Sequence, residues 1–506
     1  MFDIKRRFNA AAEDAMQRYQ SEIRDSTVRD LLAKVKNANF GSYLRRMKML
    51  KVRAFEGEQV DFEFPVTALI AANGGGKSSM LGAAALAYKS TRPAIFFPKS
   101  SLGDNSMANW GISYELIEKS KNPTQLIPKR ARFKNAKWAR DDIFDRRVLY
   151  FGIARTVPAG ERTEFKKLAT TRYKHTGHRR GISHEIGMHV ARILGKDISS
   201  FEIAMLESGK PFYIGGDGTI SYSEFHFGAG ESSVIRMVAE IESAPKNALV
   251  LIEEIENGLH PVAVRRMVEY LIDAAERRSV QSIFTTHSED ALLPLPSEGI
   301  WYSISGKVRQ GRISIEALRA MTGRVEQGLA IFVEDEFAKE IVISIMRQYC
   351  SDKFEQIGVY AVSGDSQAHS IHMHHMRNPA VNSTLKSLCI LDGDSAVEED
   401  IPNNVIKLPG ESPESLIFNY VHNNIGNLSM ILAAGLHLPT EKENIIKNIV
   451  NDIAITNRDP HLLFNQVGQR AGLIPSSIVS SAFTNLWIEG NSTEAKRIAN
   501  YIGASL

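Results

Sequence analysis

A glycine-rich loop between residues 71 and 79 has the residue types that bind nucleotide phosphates. The stretch from Ala71 to Ser78 reads AANGGGKS and nearly matches G-x-x-x-x-G-K-[ST], with Ala71 in place of the first glycine. Glycines let backbone N–H groups converge on phosphate oxygens, Lys77 would reach the β- and γ-phosphates, and the Ser78 hydroxyl would bind Mg²⁺. The predicted ATP-binding residues of this loop are Asn73, Gly74, Gly75, Gly76, Lys77, Ser78 and Ser79.

Two adjacent carboxylates follow an apolar segment later in the chain. Ala248–Ile252 is a continuous apolar run, which is typical of a buried strand in a parallel sheet, and Glu253 and Glu254 follow it directly. Glu253 can hold Mg²⁺ through water, and Glu254 can orient and deprotonate the water that attacks ATP. Both glutamates could instead be charges at a helix start, but that alternative leaves the apolar segment unexplained.

The elements that must position these residues are visible in the sequence pattern. Thr67–Ala71 predicts a strand before the loop and Ser78–Tyr88 predicts a helix after it, which is the context that a phosphate-binding loop requires. Gln281–Thr285 predicts another buried strand. Residues 90–225 are basic and irregular, and we expect them to form a lobe inserted into the ATPase core.

Asn73 within the loop and the sequence ENGLHP at residues 256–261 resemble ABC-type ATPases of the SMC and RecF kind. The resemblance implies two heads that sandwich ATP, each head supplying a signature loop to the opposite site. FGAGES at residues 227–232 stands where the signature belongs, although it departs from the usual Ser-Gly-Gly pattern, and His287 stands where the switch histidine belongs. The resemblance therefore implies that dimerisation gates hydrolysis, that His287 senses the γ-phosphate, and that the ATP is also bound by Gly228, Gly230 and Glu231.

A second alternation of strands and helices begins near residue 328 and carries further carboxylates. Glu334 follows the predicted strand Leu329–Val333, and Asp392 and Asp394 follow the predicted strand Ser387–Leu391. This order resembles the Toprim fold of topoisomerases, primases and OLD nucleases, and Gly364 after the strand Gly358–Val362 fits the Toprim turn. Strand ends converge carboxylates at one rim of a parallel sheet, where Mg²⁺ or Mn²⁺ could activate water for phosphodiester cleavage.

Several alternatives stay open at this predicted metal site. Glu336 could be the ligand in place of Glu334, and Glu411 or Glu414 could add a further ligand. Lys407 is a weak candidate for a basic residue beside the metal. A degenerate Toprim domain with only a structural or partner-binding role is the alternative to an active one.

An ABC head followed by a Toprim domain resembles the OLD (overcoming lysogenization defect) family of ATP-dependent nucleases. The expected fold class is α/β, with a helical arm at 1–40, an ABC-type head at 41–325 with the lobe at about 90–225, a Toprim-like domain at 326–420 and a helical region at 421–506. The family resemblance implies a bacterial or phage setting, DNA as substrate and antiphage defence. The head is also similar to the ATPase subunits of Septu-type and retron-linked defence systems, which implies a regulator of a separate partner nuclease. A RecF-like repair clamp is disfavoured because those heads carry no Toprim domain.

Composition and charge narrow the classes of protein to which this chain can belong. Two cysteines among 506 residues exclude a disulfide framework, and no run of roughly 18 apolar residues predicts a membrane span. The N-terminus has no signal-peptide core, so we expect a cytoplasmic protein. Basic stretches at 129–147 and 162–180 favour contact with nucleic acid through counterion release, although such stretches are also ordinary solvated surface.

Two groups of histidines have the residue type that can bind zinc. Neither is joined by a cysteine or has a regular ligand spacing, so a surface or nucleic-acid-facing role is favoured over zinc. The histidines are His175, His178, His184 and His189 in the first group, and His369, His372, His374 and His375 in the second.

Overall fold

The computed structural model describes residues 23–72, 74–99, 109–134, 137–162, 179–206, 209–216, 220–304, 306–313, 328–362, 364–377 and 385–506, together with residues 107, 165, 315, 317 and 318. The chain divides into an N-terminal unit that ends at Gly311 and a C-terminal unit that begins at Arg312, whereas the predicted boundary lies at 325 and 326. Across these described ranges, we find no helix with both the length and the apolar character needed to cross a membrane.

The N-terminal unit combines three sheets with five helices among its described residues. Its strands are β1 (Ser42–Lys51), β2 (Glu58–Asp61), β3 (Val66–Ala71), β4 (Gly111–Glu118), β5 (Asn122–Lys134), β6 (Lys137–Arg140), β7 (Val148–Phe151), β8 (Arg179–Gly181), β9 (Glu202–Met205), β10 (Pro211–Gly216), β11 (Ser221–Ser223), β12 (Leu249–Ile252), β13 (Gln281–Thr286), β14 (Ile300–Ile304) and β15 (Lys307–Gln310). Its helices are α1 (Asp25–Lys36), α2 (Lys77–Ala85), α3 (His184–Leu194), α4 (Ala229–Ser243) and α5 (Pro261–Arg278).

The central sheet of this unit has the strand order β15-β14-β3-β13-β12-β7. The five strands from β14 to β7 are parallel, and β15 pairs antiparallel at one edge. Every residue of β3, β12 and β13 is buried, as expected for strands covered on both faces. The continuous apolar runs that predicted these strands therefore arise from their central position in the sheet.

The second sheet is antiparallel and has the order β2-β1-β4-β5-β6, and the third is the small sheet β11-β10-β9-β8. This arrangement differs from the expected inserted lobe at about 90–225. The strands β4–β6 extend the sheet that begins with β1, and β7 pairs with β12 of the central sheet. Exposed basic residues along β5 obscured the alternation of buried and exposed positions that marks a half-buried strand.

The C-terminal unit combines a four-stranded sheet with eight helices among its described residues. The strands are β16 (Leu329–Val333), β17 (Ile357–Ala361), β18 (Lys386–Leu391) and β19 (Val405–Lys407), in the order β17-β16-β18-β19 and all parallel. The helices are α6 (Glu336–Tyr349), α7 (Asp365–Met376), α8 (Pro413–Asn423), α9 (Ile425–Gly435), α10 (Glu443–Thr456), α11 (Leu463–Arg470), α12 (Ser476–Gly490) and α13 (Ser492–Ser505). One hydrophobic core joins this sheet to the helices that follow it, whereas two separate regions were expected on either side of residue 420.

Candidate nucleotide site and carboxylate cluster

Three neighbouring parallel strands of the central sheet bring the predicted nucleotide-site residues to one edge. The glycine-rich loop follows β3, His287 follows β13, and Glu253 and Glu254 follow β12. Because β3, β13 and β12 are adjacent and parallel, their carboxyl ends share the same edge. These residues are therefore neighbours, although more than 170 positions of sequence separate the loop from Glu253 and more than 200 separate it from His287.

Glycine is required at two positions of the loop. The φ angles of Gly74 and Gly76 are +80° and +91°, a region that side chains disfavour. A Cβ at Gly76 would also lie 2.4 Å from the ring of Phe55. The helix α2 begins immediately afterwards, so its free N–H groups lie at the loop as phosphate binding requires. Asn73 lies outside the described residues.

The Lys77 side chain is folded back onto the loop. Its Nζ donates to the carbonyl oxygens of Ala71 at 2.8 Å and Ala72 at 3.4 Å. Burial lowers the pKa of Lys77 to about 8, and the nearby carboxylates of Glu254 and Glu256 oppose this shift. The ammonium group therefore occupies the loop interior.

The two serines after Lys77 have different surroundings. The Ser78 side chain is exposed at the start of α2, whereas Ser79 is buried and its hydroxyl accepts a hydrogen bond from the Arg53 guanidinium at 3.0 Å. Ser78 is therefore the one whose hydroxyl is accessible to a metal ion.

The two glutamates after β12 are held by groups that the sequence analysis did not select. The Tyr150 hydroxyl donates to Glu253 Oε2 at 2.9 Å. Glu254 has a φ of +46°, and its backbone N–H donates to Thr285 Oγ1 at 2.8 Å. The Arg155 guanidinium donates to the carbonyl oxygens of both glutamates.

A third carboxylate, Glu256, was also missed as a site residue. Its side chain accepts hydrogen bonds from the Thr286 hydroxyl and from the His287 backbone N–H, both at 2.7 Å. Glu256 therefore fixes the turn that carries His287, which is partly buried. The signal for it was present in the ENGLHP sequence, whose first residue is Glu256.

The predicted signature residues lie at the start of α4. Gly228 precedes this helix and is exposed, while the Glu231 carboxylate accepts a hydrogen bond from Lys196 Nζ at 2.7 Å. A Cβ at Gly230 would lie 2.0 Å from the carbonyl oxygen of Gly258. Close packing within the same chain is therefore sufficient reason for glycine at position 230.

In the C-terminal unit, Glu334 and Asp392 meet at one edge of the sheet. Glu334 follows β16 and Asp392 follows the adjacent parallel strand β18. The Asp392 backbone N–H donates to Glu334 Oε1 at 2.8 Å. The Gly364 N–H donates to the Glu334 carbonyl oxygen at 2.9 Å, and Gly364 has a φ of +127°. The predicted turn at Gly364 is thus bonded to the backbone of Glu334.

Asp392 is the most perturbed carboxyl group of this edge. Burial, followed by the charges of Glu334 and Asp335, raises its pKa to about 8, and burial also raises the pKa of Glu334. The Oδ1 atom of Asp392 is buried and has no hydrogen-bond partner among the described residues. A buried carboxylate oxygen without a donor, surrounded by like charges, fits a divalent cation.

The carboxylates of this edge are nevertheless spread apart. Glu334, Asp392 and Asp394 do not form a set whose ligand atoms all lie within 4.8 Å of one another. The described residues contain one such set, Glu185, His189 and Glu242. Arg277 donates to Glu242 at 2.9 Å and to Glu185 at 3.2 Å, so a guanidinium already balances those charges.

The alternative ligands of the C-terminal edge have distinct surroundings. The Glu336 side chain is exposed, and its carboxylate lies 3.5 Å from Lys339 Nζ. Glu414 is buried, lies 2.7 Å from His461 Nδ1 and contributes to the raised pKa of Asp392. Lys407 Nζ donates to the carbonyl oxygen of Ser395 at 2.7 Å. Glu414 is therefore the alternative that is electrostatically coupled to Asp392.

A cavity of about 420 Å³ lies next to the Asp392–Asp394 turn. A Cβ at Gly393 would lie 1.5 Å from the Gly410 carbonyl oxygen, so glycine is required where these two loops meet. The residues lining the cavity are Gly393, Glu398, Glu399, Lys407, Leu408, Gly410 and Arg497.

Two described histidines of the second group are core residues. The ring nitrogens of His372 lie 2.6 Å from the Asn403 carbonyl oxygen and 2.9 Å from the Ser387 hydroxyl. His375 is fully buried, and burial lowers its pKa to about 4. His175 and His178 of the first group lie outside the described residues.

The first basic stretch is only partly a surface feature. Arg146 is buried and donates to the Tyr88 hydroxyl and Gln281 Oε1, both at 2.9 Å. The Phe133 and Trp138 rings pack against each other at 5.6 Å. The cations along β5 and β6 are mostly exposed, but the interleaved aromatic rings contribute to the core. Most of the second stretch lies outside the described residues.

Residues 111–293 match the protein family described as "AAA domain, putative AbiEii toxin, Type IV TA system". Among solved structures, the chain is similar to the SMC head domain from Thermotoga maritima, with 12% identity, 53% of this chain and 97% of that chain covered, and a TM-score of 0.33. It is also similar to an ATP-binding cassette of an ABC transporter in its ADP conformation. The two are 12% identical over 55% of this chain and 94% of that chain, with a TM-score of 0.28. The C-terminal region of the Xanthomonas campestris pv. campestris OLD protein is 13% identical over 35% of this chain and 92% of that chain, with a TM-score of 0.22. A search of curated protein sequences finds no match.

The family match covers β4 to β13, and with them Glu253, Glu254 and His287. Residues 111–293 thus form an ATPase-type domain of the AAA/ABC-type class. The predicted fold class is confirmed for the mixed α/β architecture with an ABC-like head and for the helical C-terminal region. The Toprim assignment of the C-terminal sheet stays a prediction.

Proposed function

We propose that this protein is an ABC-type ATPase that binds and hydrolyses ATP and thereby controls its own metal-dependent, Toprim-like nuclease, which acts on DNA. We place this activity in antiphage defence in the bacterial cytoplasm. The observation that carries the nuclease half is the buried, unpartnered Oδ1 atom of Asp392, which adjoins Glu334 at the edge of a parallel sheet. The nucleotide half rests on the shared edge of β3, β13 and β12.

In the nucleotide site, each residue has a role that follows from its position. The loop amides and Lys77 bind the phosphates once Lys77 Nζ releases the carbonyl oxygens of Ala71 and Ala72. Ser78 and Glu253 would hold Mg²⁺, which neutralises phosphate charge when bound. Glu254 orients the attacking water and accepts its proton.

The second half of the site comes from another copy of the chain. In this proposal Gly228, Gly230 and Glu231 approach the nucleotide of the partner subunit, and His287 senses the γ-phosphate. The exposure of Gly228 at the start of α4 supports this role, because helix N-termini favour anions. Hydrolysis then depends on dimerisation, and the protein works as a homodimer or a larger homo-oligomer.

In the C-terminal unit, Glu334, Asp392 and Asp394 would hold Mg²⁺ or Mn²⁺. A bound ion supplies an activated water and stabilises the leaving oxygen of a phosphodiester. The raised pKa of Asp392 supports this assignment, because like-charged buried carboxyl groups gain most from a cation between them. The exposed cations along β5 and β6 are the candidate contacts for the DNA backbone.

A second candidate function is supported by a different observation. The three carboxylates are not within 4.8 Å of one another, and Lys407 is bonded to the Ser395 carbonyl oxygen rather than free at the edge. In that case the Toprim-like unit is inactive, and the chain is an ATPase sensor that regulates a separate nuclease subunit.

A cleavage assay on the purified full chain separates these candidates. Supercoiled DNA is incubated with Mg²⁺ or Mn²⁺, with and without ATP, and with wild-type protein or Glu334→Ala. The nuclease proposal predicts strand breaks by the wild type that depend on metal and are lost in Glu334→Ala. No breaks by the wild type under any condition contradict the proposal and favour the sensor with a partner nuclease.

A further inference from the structure

Arg155 lies in the short turn that follows β7, directly beside the two glutamates of the nucleotide site. One terminal nitrogen of its guanidinium donates to the Glu253 carbonyl oxygen, and the other donates to the Glu254 carbonyl oxygen, each at 2.5 Å. The first nitrogen also donates to the Gly152 carbonyl oxygen at 3.1 Å. The planar guanidinium therefore donates hydrogen bonds to the carbonyl oxygens of two successive residues. A single ammonium group does not have this planar geometry with two parallel donors.

The backbone to which Arg155 donates these hydrogen bonds has an unusual conformation at Glu254. Glu254 has a φ of +46°, in the left-handed region that residues with a side chain rarely adopt. Such a conformation persists only where surrounding groups hold it. The Glu254 N–H is held by Thr285 Oγ1 at 2.8 Å, and its carbonyl oxygen is held by Arg155 and by the Asn257 N–H at 2.9 Å.

The charge of Arg155 also suits this position. Burial lowers its pKa to about 10, while the carboxylates of Glu256, Glu254 and Glu253 oppose that shift. Arg155 is therefore a cation at neutral pH among three carboxylates. It balances their charges without occupying the carboxylate of Glu254, because its bonds go to backbone oxygens.

The turn that carries Arg155 is itself anchored. The Arg155 carbonyl oxygen accepts from Arg162 at 2.8 Å, and the Arg162 guanidinium lies 3.5 Å from the buried Glu224 carboxylate. Glu224 in turn accepts two hydrogen bonds from Arg236 of α4. Contacts through Arg162 and Glu224 thus connect Arg155 to α4. The predicted signature residues lie at the start of this helix.

We propose that Arg155 is a positioning residue for ATP hydrolysis, which holds the Glu254 backbone in the left-handed conformation that directs its carboxylate. This role rests on the proposed function, which assigns Glu254 to the attacking water. Arg155 contacts neither nucleotide nor water in this role. Its loss therefore lowers turnover far more than nucleotide affinity.

The test compares Arg155→Ala and Arg155→Lys with wild type in steady-state ATP hydrolysis and in equilibrium binding of a fluorescent ATP analogue. We expect kcat to fall on the order of 10–100-fold in Arg155→Ala, as for other groups that orient a reacting residue, with less than about a threefold change in Kd. We expect the kcat of Arg155→Lys to be little higher than that of Arg155→Ala, because an ammonium group cannot donate the two hydrogen bonds in the planar geometry of the guanidinium. Arg46→Ala is the control, because that side chain pairs with Asp61 and Glu115 on the second sheet.

Chemical rescue distinguishes positioning from a general loss of folding. Added guanidinium ion, at concentrations well below denaturing ones, is expected to restore part of the kcat of Arg155→Ala and none of that of Glu254→Gln. A wild-type kcat in Arg155→Ala would overturn the inference. So would a kcat and an affinity that fall together without rescue. Absence of ATP hydrolysis by the wild type would instead contradict the proposed function.

Discussion

Replacing Asp392 by Asn should stabilise the C-terminal unit at alkaline pH and abolish its response to metal. The pKa of Asp392 is raised from 3.8 to about 8, mainly by burial and by Glu334. Since a difference of about 1 in pKa corresponds to about 1.4 kcal/mol, the ionised form costs at most about 5–6 kcal/mol. Solvent screening of a partly exposed group reduces this, and we expect about 2–3 kcal/mol.

The sign of the pH dependence follows from the direction of the shift. Because the folded-state pKa of Asp392 is raised, the unfolded state loses its proton first, and stability falls as pH rises from about 4 to about 8. Asp392→Asn removes this loss, so its gain in free energy of unfolding should be present at pH 8 and near zero at pH 4. Millimolar Mg²⁺ should stabilise the wild type at pH 8 but not the variant.

Native-state hydrogen exchange of the buried amides in β18 measures this free energy within the full chain. Asp452→Asn is the matched control, because Asp452 is an exposed carboxylate on α10 of the same unit. Equal protection of wild type and Asp392→Asn at pH 8 without metal would refute the reasoning. An equal Mg²⁺ response in both proteins would refute the assignment of Asp392 as a ligand.

Two further predictions concern the packing at Gly230 and the partly buried carboxyl group of Glu340. Gly230→Ala would place a Cβ 2.0 Å from the Gly258 carbonyl oxygen, so we expect a loss of about 1–3 kcal/mol in stability. Gly228→Ala has open space and should lose little in thermal unfolding, and equal losses would contradict this account. Burial raises the pKa of Glu340 to about 7, so Glu340→Gln should stabilise by about 1–2 kcal/mol at pH 8 and hardly at pH 5. Urea unfolding at both pH values checks this, and a pH-independent effect would contradict it.

The strands that carry the site were predictable because they are buried on both faces. Leu329–Val333 was predicted with its observed bounds, because its continuous apolar run marks a buried strand. The strands between residues 111 and 151, which are the antiparallel β4–β6 and the parallel β7, were not recognised. Their pairing with β1 and β12 depends on partners far away in the sequence, and their exposed faces carry the basic residues.

The sequence also predicts some residues of the nucleotide site and not others. Lys77, Glu253 and Glu254 stand in motifs that a sequence displays directly. Arg155 acts on backbone carbonyl groups through a tertiary contact over almost 100 residues, and no local pattern marks such a residue. The signal for Gly230 was interpreted as nucleotide contact, while the structure supplies an additional reason for it in the Gly258 carbonyl oxygen.

In the proposed function, one chain holds both an ATPase and a nuclease at separate sites. The most direct test measures ATP hydrolysis and DNA cleavage in the same reaction, with Mg²⁺, for wild type and Asp392→Ala. We predict that Asp392→Ala hydrolyses ATP at the wild-type rate and cleaves no DNA. Cleavage by Asp392→Ala at the wild-type rate would contradict it.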